Sequence, residues 1–474
     1  MSSADVQTHQ KSVQQARLWY GLTCVVLLIS ILTSPLHTVW FSASLYFIAV
    51  MCLMAADLQA FLVTLLIIVR FAVVVVSLVM IESGEYVAEQ FRYGFNNGST
   101  ALQVPYLILF LLVFHYFTHR FAYRFSGKID LEGAPLRRFY WILLLGYAAV
   151  ILAFVATLIV YGTASDVGGD RYVYWSHLPD RVGDVVMGLR FWGLSALAVF
   201  LGFYTRYVKR PAVTLLAAYV LTFVLLYLMG EKFAALYNNI FLFLTGFALA
   251  AIIANKPVKL RPSVLFFSLI AVLGLYFALD AGYEVLSGGR ADTAESITDR
   301  ITLESHVWFG IVDLGRGVPF VDFHDMWKFN SLDTPSGLDF LSYLVSSPDY
   351  VHKRLSDGIT FTQGGAPAAL AVFGYVGGLL FFGVEAFLYP LVGLLLLSFL
   401  KARMIVPAFV SVLGYNLVMQ TAIMGYWAAY HSRVAMIWGA VMIAGQLLRA
   451  TRRPTAGVLE SKASKWKGDA FVRR

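Results

Sequence analysis

Long apolar runs separated by short polar connectors dominate the chain. Crossing about 30 Å of hydrocarbon takes roughly 20 residues of helix. Runs of that order predict membrane-spanning helices near 19–34, 37–55, 58–81, 103–119, 139–162, 187–205, 211–229, 233–254, 263–282, 379–400, 405–424 and 427–448. Twelve spans put both termini on one side. The stretch 366–400 is apolar throughout and too long for one perpendicular crossing. Gly374, Gly377 and Gly378 interrupt its first half, so 366–378 is expected to be an interfacial or re-entrant helix feeding the span behind it.

The longest polar connector runs from 283 to 364. A structureless stretch of that length is unusual. Trp308, Phe309, Phe320, Phe323, Trp327, Phe329, Phe340, Tyr343 and Tyr350 are spread through it and predict a small folded cap of short helices. Within 299–311 (DRITLESHVWFGI), Ile301, Val307, Trp308 and Ile311 recur at helical spacing. The expected fold is therefore an all-α polytopic membrane protein of about 12 spans. Residues 1–282 hold about nine spans and 283–364 form the large loop. Residues 365–448 hold the re-entrant or interfacial helix and about three spans, and 449–474 form a basic tail.

Composition agrees with the pattern. Hydrophobic residues make up 59% of the chain and charged residues 14%, with mean hydropathy +0.72; soluble domains carry about 25% charged residues. The net charge of +8 raises nucleic-acid binding, but its distribution answers otherwise. With the N-terminus inside, the cytoplasmic connectors and tail carry 23 of the 36 Lys and Arg residues. The short outer loops carry Arg92, Arg171, Arg181 and Lys232. This is the positive-inside bias, and the tail reads as a topology determinant beside anionic lipid, with no nucleic-acid partner. Residues 1–18 are polar and unlike a signal peptide. Cys24 and Cys52 sit in apolar runs as small hydrophobes, and no Cys/His cluster points to a metal.

Charges at bilayer depth need a reason. Arg70 lies mid-span in LLIIVRFAVVVV. It reads either as a bundle-interior arginine paired with an acid or carbonyl, or as an anion ligand, since arginine binds phosphate bidentately and never deprotonates. Arg190 and Arg433 sit in the outer halves of their spans, where snorkelling is the ordinary explanation. Arg190, beside Trp192 and after Arg171 and Arg181, is the better ligand candidate. Glu231 and Lys232 share an outer turn and are expected to pair or face water. Glu385 is the other mid-span charge.

The large loop holds six Lys/Arg, twelve Asp/Glu and three His. Arg290, Asp292, Asp299, Arg300, Glu304, His306, Asp313, Arg316, His324, Asp325, His352, Lys353 and Arg354 are its candidates for chemistry. Arg300 and Glu304 are i,i+4 neighbours on a helix, which fits a surface ion pair. It equally fits an arginine holding a pyrophosphate beside a carboxylate that accepts a proton, with His306 an alternative base. There is no GxSxG, HExxH or Walker loop and no DxD pair. Outer-loop arginines without metal or nucleotide machinery suit a lipid-pyrophosphate donor already in the membrane, and no cofactor is expected.

The layout resembles a Wzy-type O-antigen or oligosaccharide repeat-unit polymerase. The likeness rests on about twelve spans with both ends inside, one large outer loop in the C-terminal half, and two stretches. These are Asp299–Gly310 (DRITLESHVWFG) and the glycine-rich Thr360–Gly378 (TFTQGGAPAALAVFGYVGG). Relatives are expected to carry an acid before those glycines; here stand Ala368 and Ala369, with Glu385 further on.

The resemblance implies a GT-C-like glycosyltransferase of the bacterial inner membrane. It would transfer a growing glycan from undecaprenyl pyrophosphate to the non-reducing sugar of a lipid-linked repeat unit, with a chain-length regulator as a partner. It implies Arg300, Arg290, Arg70, Arg190 and Arg354 as pyrophosphate ligands, Glu304 or His306 as base, and aromatics stacked on sugars. A ligase using the same donor with a lipid A core acceptor shares the layout. A flippase or secondary transporter is the rival of another class, although transporters place charge in several spans and keep outer loops short.

Overall fold

The computed structural model describes residues 3–129, 134–167, 171–208, 212–231, 234–255, 258, 301–315, 317–329, 331, 333–356 and 363–451. It is an all-α polytopic membrane protein. Among the described residues ten helices are long and apolar enough to cross a membrane, and Val213–Leu228 is a shorter apolar helix beside them. The expected span at 263–282, the first part of the large loop through 300, and the tail beyond 451 lie outside the described residues. Trp40, Ile159, Val213 and Ile443 are each more than half exposed. Such a belt of outward apolar side chains suits lipid and would be a liability in water.

The spanning elements are α1 (Ser3–Thr33), α2 (Val39–Ala56), α3 (Leu58–Glu82), α4 (Ser99–Tyr123) and α5 (Ala134–Tyr161). Two short helices, α6 (Arg171–His177) and α7 (Asp180–Gly188), follow. A single π turn, Leu189–Gly193, joins α7 to α8 (Leu194–Tyr207), so the span begins earlier than its apolar run suggested. Then come α9 (Val213–Leu228) and α10 (Ala234–Ile253).

The tight turn between α2 and α3 is made by Asp57, whose carboxylate accepts from the amides of Gln59 (2.8 Å) and Ala60 (3.3 Å). This satisfies donors that a helix start leaves open. The same carboxylate meets His119 Nδ1 at 2.6 Å, and His115 bonds the Asp57 carbonyl and the Tyr20 hydroxyl. Burial pushes the Asp57 carboxyl up, but the His119 contact and the amides outweigh it and hold it below the usual carboxylate range. This knot ties α1, α2–α3 and α4 together on the face opposite the large loop.

The loop-bearing face is closed by a cap. Between α3 and α4 a two-residue hairpin pairs β1 (Tyr86–Val87) with β2 (Arg92–Tyr93), Tyr86 opposite Tyr93. The large loop supplies α11 (His306–Gly315), α12 (Phe323–Trp327), α13 (Gly337–Val345) and α14 (Pro348–Ser356). The sequence predicted one apolar face for the first of these. Instead every residue from His306 to Val312 is buried. The reason is its seat. Ser305 Oγ donates to the Val74 carbonyl (2.9 Å), Ser77 Oγ to the Thr302 carbonyl (3.2 Å) and Trp308 Nε1 to the Ser99 carbonyl (2.9 Å). The segment thus plugs the loop-bearing end of the α3–α4 pair.

The chain re-enters as α15 (Gly365–Lys401), followed by α16 (Ile405–Val418) with a π turn at Met419–Ile423, a 3₁₀ turn at Trp427–His431, and α17 (Arg433–Thr451). α15 is one apolar run broken at Gly374, where φ is 68° and ψ −174°. That conformation excludes an ordinary side chain, and a Cβ there would lie 2.8 Å from Pro319 Cδ. The cap is sewn into the break. Phe320 and Val321 amides donate to the Ala371 carbonyl (2.9 and 3.1 Å), and the Tyr375 amide to the Gly317 carbonyl (2.9 Å). Tyr106 Oη, from α4, donates to the Tyr375 carbonyl at 2.7 Å.

Candidate functional site

The described candidates fall into three places, and the structure gives two of them partners of their own. Arg354, on α14, donates to Glu89 Oε1 (2.9 Å) and to the Tyr350 hydroxyl (2.6 Å). Glu89 is buried on the hairpin turn. The pair clamps α14 to the α3–α4 connector. Beside it Arg92 binds Asp313 at 2.8 Å and lies over the Phe309 ring, while Gln90 Nε2 donates to the His306 carbonyl (2.7 Å). These charges hold the cap on the bundle.

His306 is wholly buried within this clamp, with Nδ1 2.8 Å from the Leu303 carbonyl. Burial lowers its pKa below the usual imidazole value, although the nearby Glu89 charge opposes the shift. Its ring is thereby held neutral and out of reach of solvent. Glu304 is half-buried. Of the two expected bases it is the one that a substrate can approach. Arg290 and Arg300 lie outside the described residues, so the expected Arg300–Glu304 pairing does too.

Arg190 sits on the π turn before α8, where the wider ring turns its side chain inward. Its guanidinium meets Glu231 Oε1 at 2.5 Å, with side chains only 7% and 2% exposed. Trp175 Nε1 donates to the same oxygen at 3.2 Å, and Arg190 lies over the Phe191 ring. Asn416, on α16, anchors the turn by donating to the Phe191 carbonyl. Glu231 therefore pairs with an arginine far away in sequence and not with its neighbour Lys232, which lies outside the described residues. Nothing local in the sequence marks this pair; two oppositely charged residues at the same end of two spans was the only available signal.

Arg70 is different. It stands at the middle of α3, half-buried, and among the described residues no ion pair or hydrogen bond involves its guanidinium. It lies within electrostatic reach of the Tyr389 hydroxyl on α15. One helical turn before Tyr389 is Glu385, fully within the bundle, whose Oε1 accepts from the Tyr430 hydroxyl at 3.1 Å. Tyr389 stacks on Phe114 at 4.8 Å between ring centres and meets Phe110 edge-on at 5.9 Å, with Phe71 and Phe382 packed against Phe110. Arg70 and Glu385 thus each lie within electrostatic reach of Tyr389, which packs among aromatic rings. The spacing of Glu385 and Tyr389 along one helix was readable, but their convergence with Arg70 and Tyr430 was not.

An aromatic cluster joins the cap helix α12 to the turn that carries Tyr430. Trp427 is fully buried, 4.9 Å from Phe381 and 5.7 Å from Phe323 between ring centres. Trp327 stacks on Phe323 (5.4 Å) and Tyr430 (6.0 Å), and its carbonyl lies 2.7 Å from His431 Nε2. Phe323, Trp327 and Phe329 present partly exposed rings outward. Rings of this kind can stack on the apolar faces of sugars. Among the described residues no group of His, Cys, Asp and Glu could hold a metal ion.

Residues 331–438 match the model of a family of unknown function, DUF6418. The match covers under a quarter of the chain, from α13 through α16 into α17. It contains Arg354, Gly374, Glu385, Tyr389 and Tyr430. No curated protein and no solved structure matches the chain.

Proposed function

We propose that the protein is a membrane glycosyltransferase that polymerises lipid-linked oligosaccharide units. The donor would be a glycan on undecaprenyl pyrophosphate and the acceptor the non-reducing sugar of a second lipid-linked unit. The observation that carries this reading is Arg70. Arg190 and Arg354 each neutralise a buried carboxylate, whereas the charge of Arg70 stands in the bilayer without a protein counter-ion among the described residues. Such a charge calls for an anion, and a lipid-borne pyrophosphate brings one without leaving the membrane.

In this reading the acceptor hydroxyl oxygen attacks the anomeric carbon, and the bond from that carbon to the pyrophosphate oxygen breaks. The hydroxyl proton passes to Glu304, and negative charge grows on the departing pyrophosphate. A fixed guanidinium stabilises that charge most at the moment it forms. The rings at Phe323, Trp327 and Phe329 offer stacking surfaces for the glycan. The positive-inside bias of the basic connectors supports a cap on the outer face and both termini on the cytoplasmic side of the membrane, in this reading the bacterial inner membrane. A chain-length regulator would act beside the cap.

The test is a product ladder. Purified protein in nanodiscs, given its native lipid-linked unit and neither metal nor nucleotide, is expected to yield a ladder; persistent absence of one overturns the reading. A second reading is favoured by one observation: Arg70 and Glu385 both lie at mid-span, as charges on a translocation path do. Movement of the lipid-linked unit across sealed vesicles without any ladder would select it.

A further inference from the structure

One part of the cap has no use in the proposed transfer. The stretch Leu314–Phe320 ends α11 and runs toward α12, and it exposes Leu314 (57%), Val318 (63%) and Phe320 (42%). It lies against the break in α15. The Tyr375 amide donates to the Gly317 carbonyl (2.9 Å), and a Cβ on Gly374 would lie 2.8 Å from Pro319 Cδ. Directly beyond the break, Val376, Leu380 and Val384 recur every fourth residue, each about two-thirds exposed. They share one face of a helix long and apolar enough to cross a membrane. That face is a lipid-facing stripe, and the cap stretch continues it across the break.

Two measures set the depth of this stretch. From Gly374 to Lys401, α15 rises about 40 Å at 1.5 Å per residue, which matches a bilayer with its headgroup layers. The Tyr375 hydroxyl also donates to Ser34 Oγ (3.4 Å), in the turn between the spans α1 and α2, where Leu36 and Trp40 are exposed. The break therefore stands at the level where spans end and interfacial aromatics gather. The backbone is suited to low dielectric. The Val318 amide donates to the Gly315 carbonyl (2.9 Å), the Phe320 and Val321 amides to the Ala371 carbonyl, and Pro319 has no amide hydrogen. Open donors would be heavily penalised in lipid. The single charge in 314–321 (LGRGVPFV) is Arg316, which lies outside the described residues and has the sign that anionic lipid attracts. The flanking acids are engaged elsewhere: Asp313 binds Arg92, and Asp322 accepts from the His324 amide.

We propose that Leu314–Phe320 inserts into the leaflet on the loop-bearing side, so that this edge of the cap is seated in the membrane interface with bilayer lipid as its partner. Apolar side chains exposed beside a lipid-facing stripe are a liability in water and are stabilised at the headgroup–acyl boundary. The inference stands apart from the reading of sugar transfer, and failure of either leaves the other in place.

The experiment uses the full chain in nanodiscs of phosphatidylcholine and phosphatidylglycerol. Val318→Cys, in a Cys24→Ser, Cys52→Ala background, carries a nitroxide, and power saturation with oxygen and a water-soluble nickel chelate reads its depth. Val384→Cys serves as the lipid reference, and Lys353→Cys, exposed on α14, as the aqueous one. The label at 318 is expected about 5–10 Å below the phosphate level, shallower than at 384 and shielded from nickel relative to 353. Nickel access at 318 equal to that at 353 overturns the proposal. So does exclusion of both reagents, which would mean that protein, such as a second copy of the chain, covers the stretch. The unaltered chain gives the same answer without any substitution. A phospholipid with a diazirine on its acyl chain should form adducts within 314–320 as well as within 376–384, and adducts within 376–384 alone overturn the insertion.

Discussion

Replacing Glu231 by glutamine removes the carboxylate that pairs with Arg190, whose side chain is only 7% exposed. Breaking one side of a buried pair costs about 3–5 kcal/mol, because the surviving charge keeps its desolvation penalty. Glutamine still offers an oxygen to Arg190 and Trp175, so about 3 kcal/mol is expected, roughly a hundredfold in the folded-to-unfolded ratio. The converse change, Arg190→Met, should cost less at low pH, since a carboxylate that has lost its arginine can take up a proton and a guanidinium that has lost its acid cannot give one up. The double variant should recover to within about 1 kcal/mol of wild type, because two well-packed neutral side chains replace a buried pair at little cost. Unfolding in mixed micelles with increasing dodecyl sulfate, followed by far-ultraviolet circular dichroism, measures all three. A Glu231→Gln variant within about 0.5 kcal/mol of wild type would refute the reasoning, since surface changes fall in that range. It would mean that Arg190 is solvated or held by some other anion.

Three further outcomes follow from the geometry. Gly374→Ala forces a Cβ into positive φ against Pro319 and should cost about 1–3 kcal/mol, loosening the seam so that protease cuts within 317–321 sooner than in wild type. His306 is held neutral by burial, so its folded pKa lies below its unfolded value near 6.5. Its contribution to stability is full above that value and falls as the pH drops below it, by up to about 1.4 kcal/mol per unit. His306→Gln should flatten that part of the stability profile, and an unchanged slope would contradict the burial argument. Glu89→Ala removes the carboxylate paired with Arg354, whose side chain is 21% exposed and therefore partly hydrated, so a loss of about 1–2 kcal/mol is expected. Its signature is faster amide exchange confined to the cap.

The spans were legible because the bilayer fixes their length and forbids an unsatisfied backbone, so apolar runs translate almost directly into helices. The glycines of 366–400 announced an interruption, but not that Gly374 alone takes positive φ, which depends on Pro319 arriving from the cap. The stretch 299–311 was readable as helical, yet its burial on all sides was not, because periodicity reports one partner surface and this segment has several. The site was legible in parts only. Arg70 was conspicuous because a mid-span charge violates the local pattern. Arg190 and Arg354 looked equally available in sequence, and only the fold brings Glu231 and Glu89 to them. Glu385 registered as a mid-span acid, but Tyr430 reaches it across a turn that sequence cannot close.

The central claim is that Arg70 holds the anion of a lipid-linked donor, and its most direct test is the rate of ladder formation by Arg70→Gln in nanodiscs with the native unit. Loss of a charge-assisted contact of about 1.5–3 kcal/mol predicts a rate at least tenfold below wild type. Folding should be unchanged, and Arg70→Lys should recover part of the rate. A ladder formed by Arg70→Gln at the wild-type rate would contradict the account.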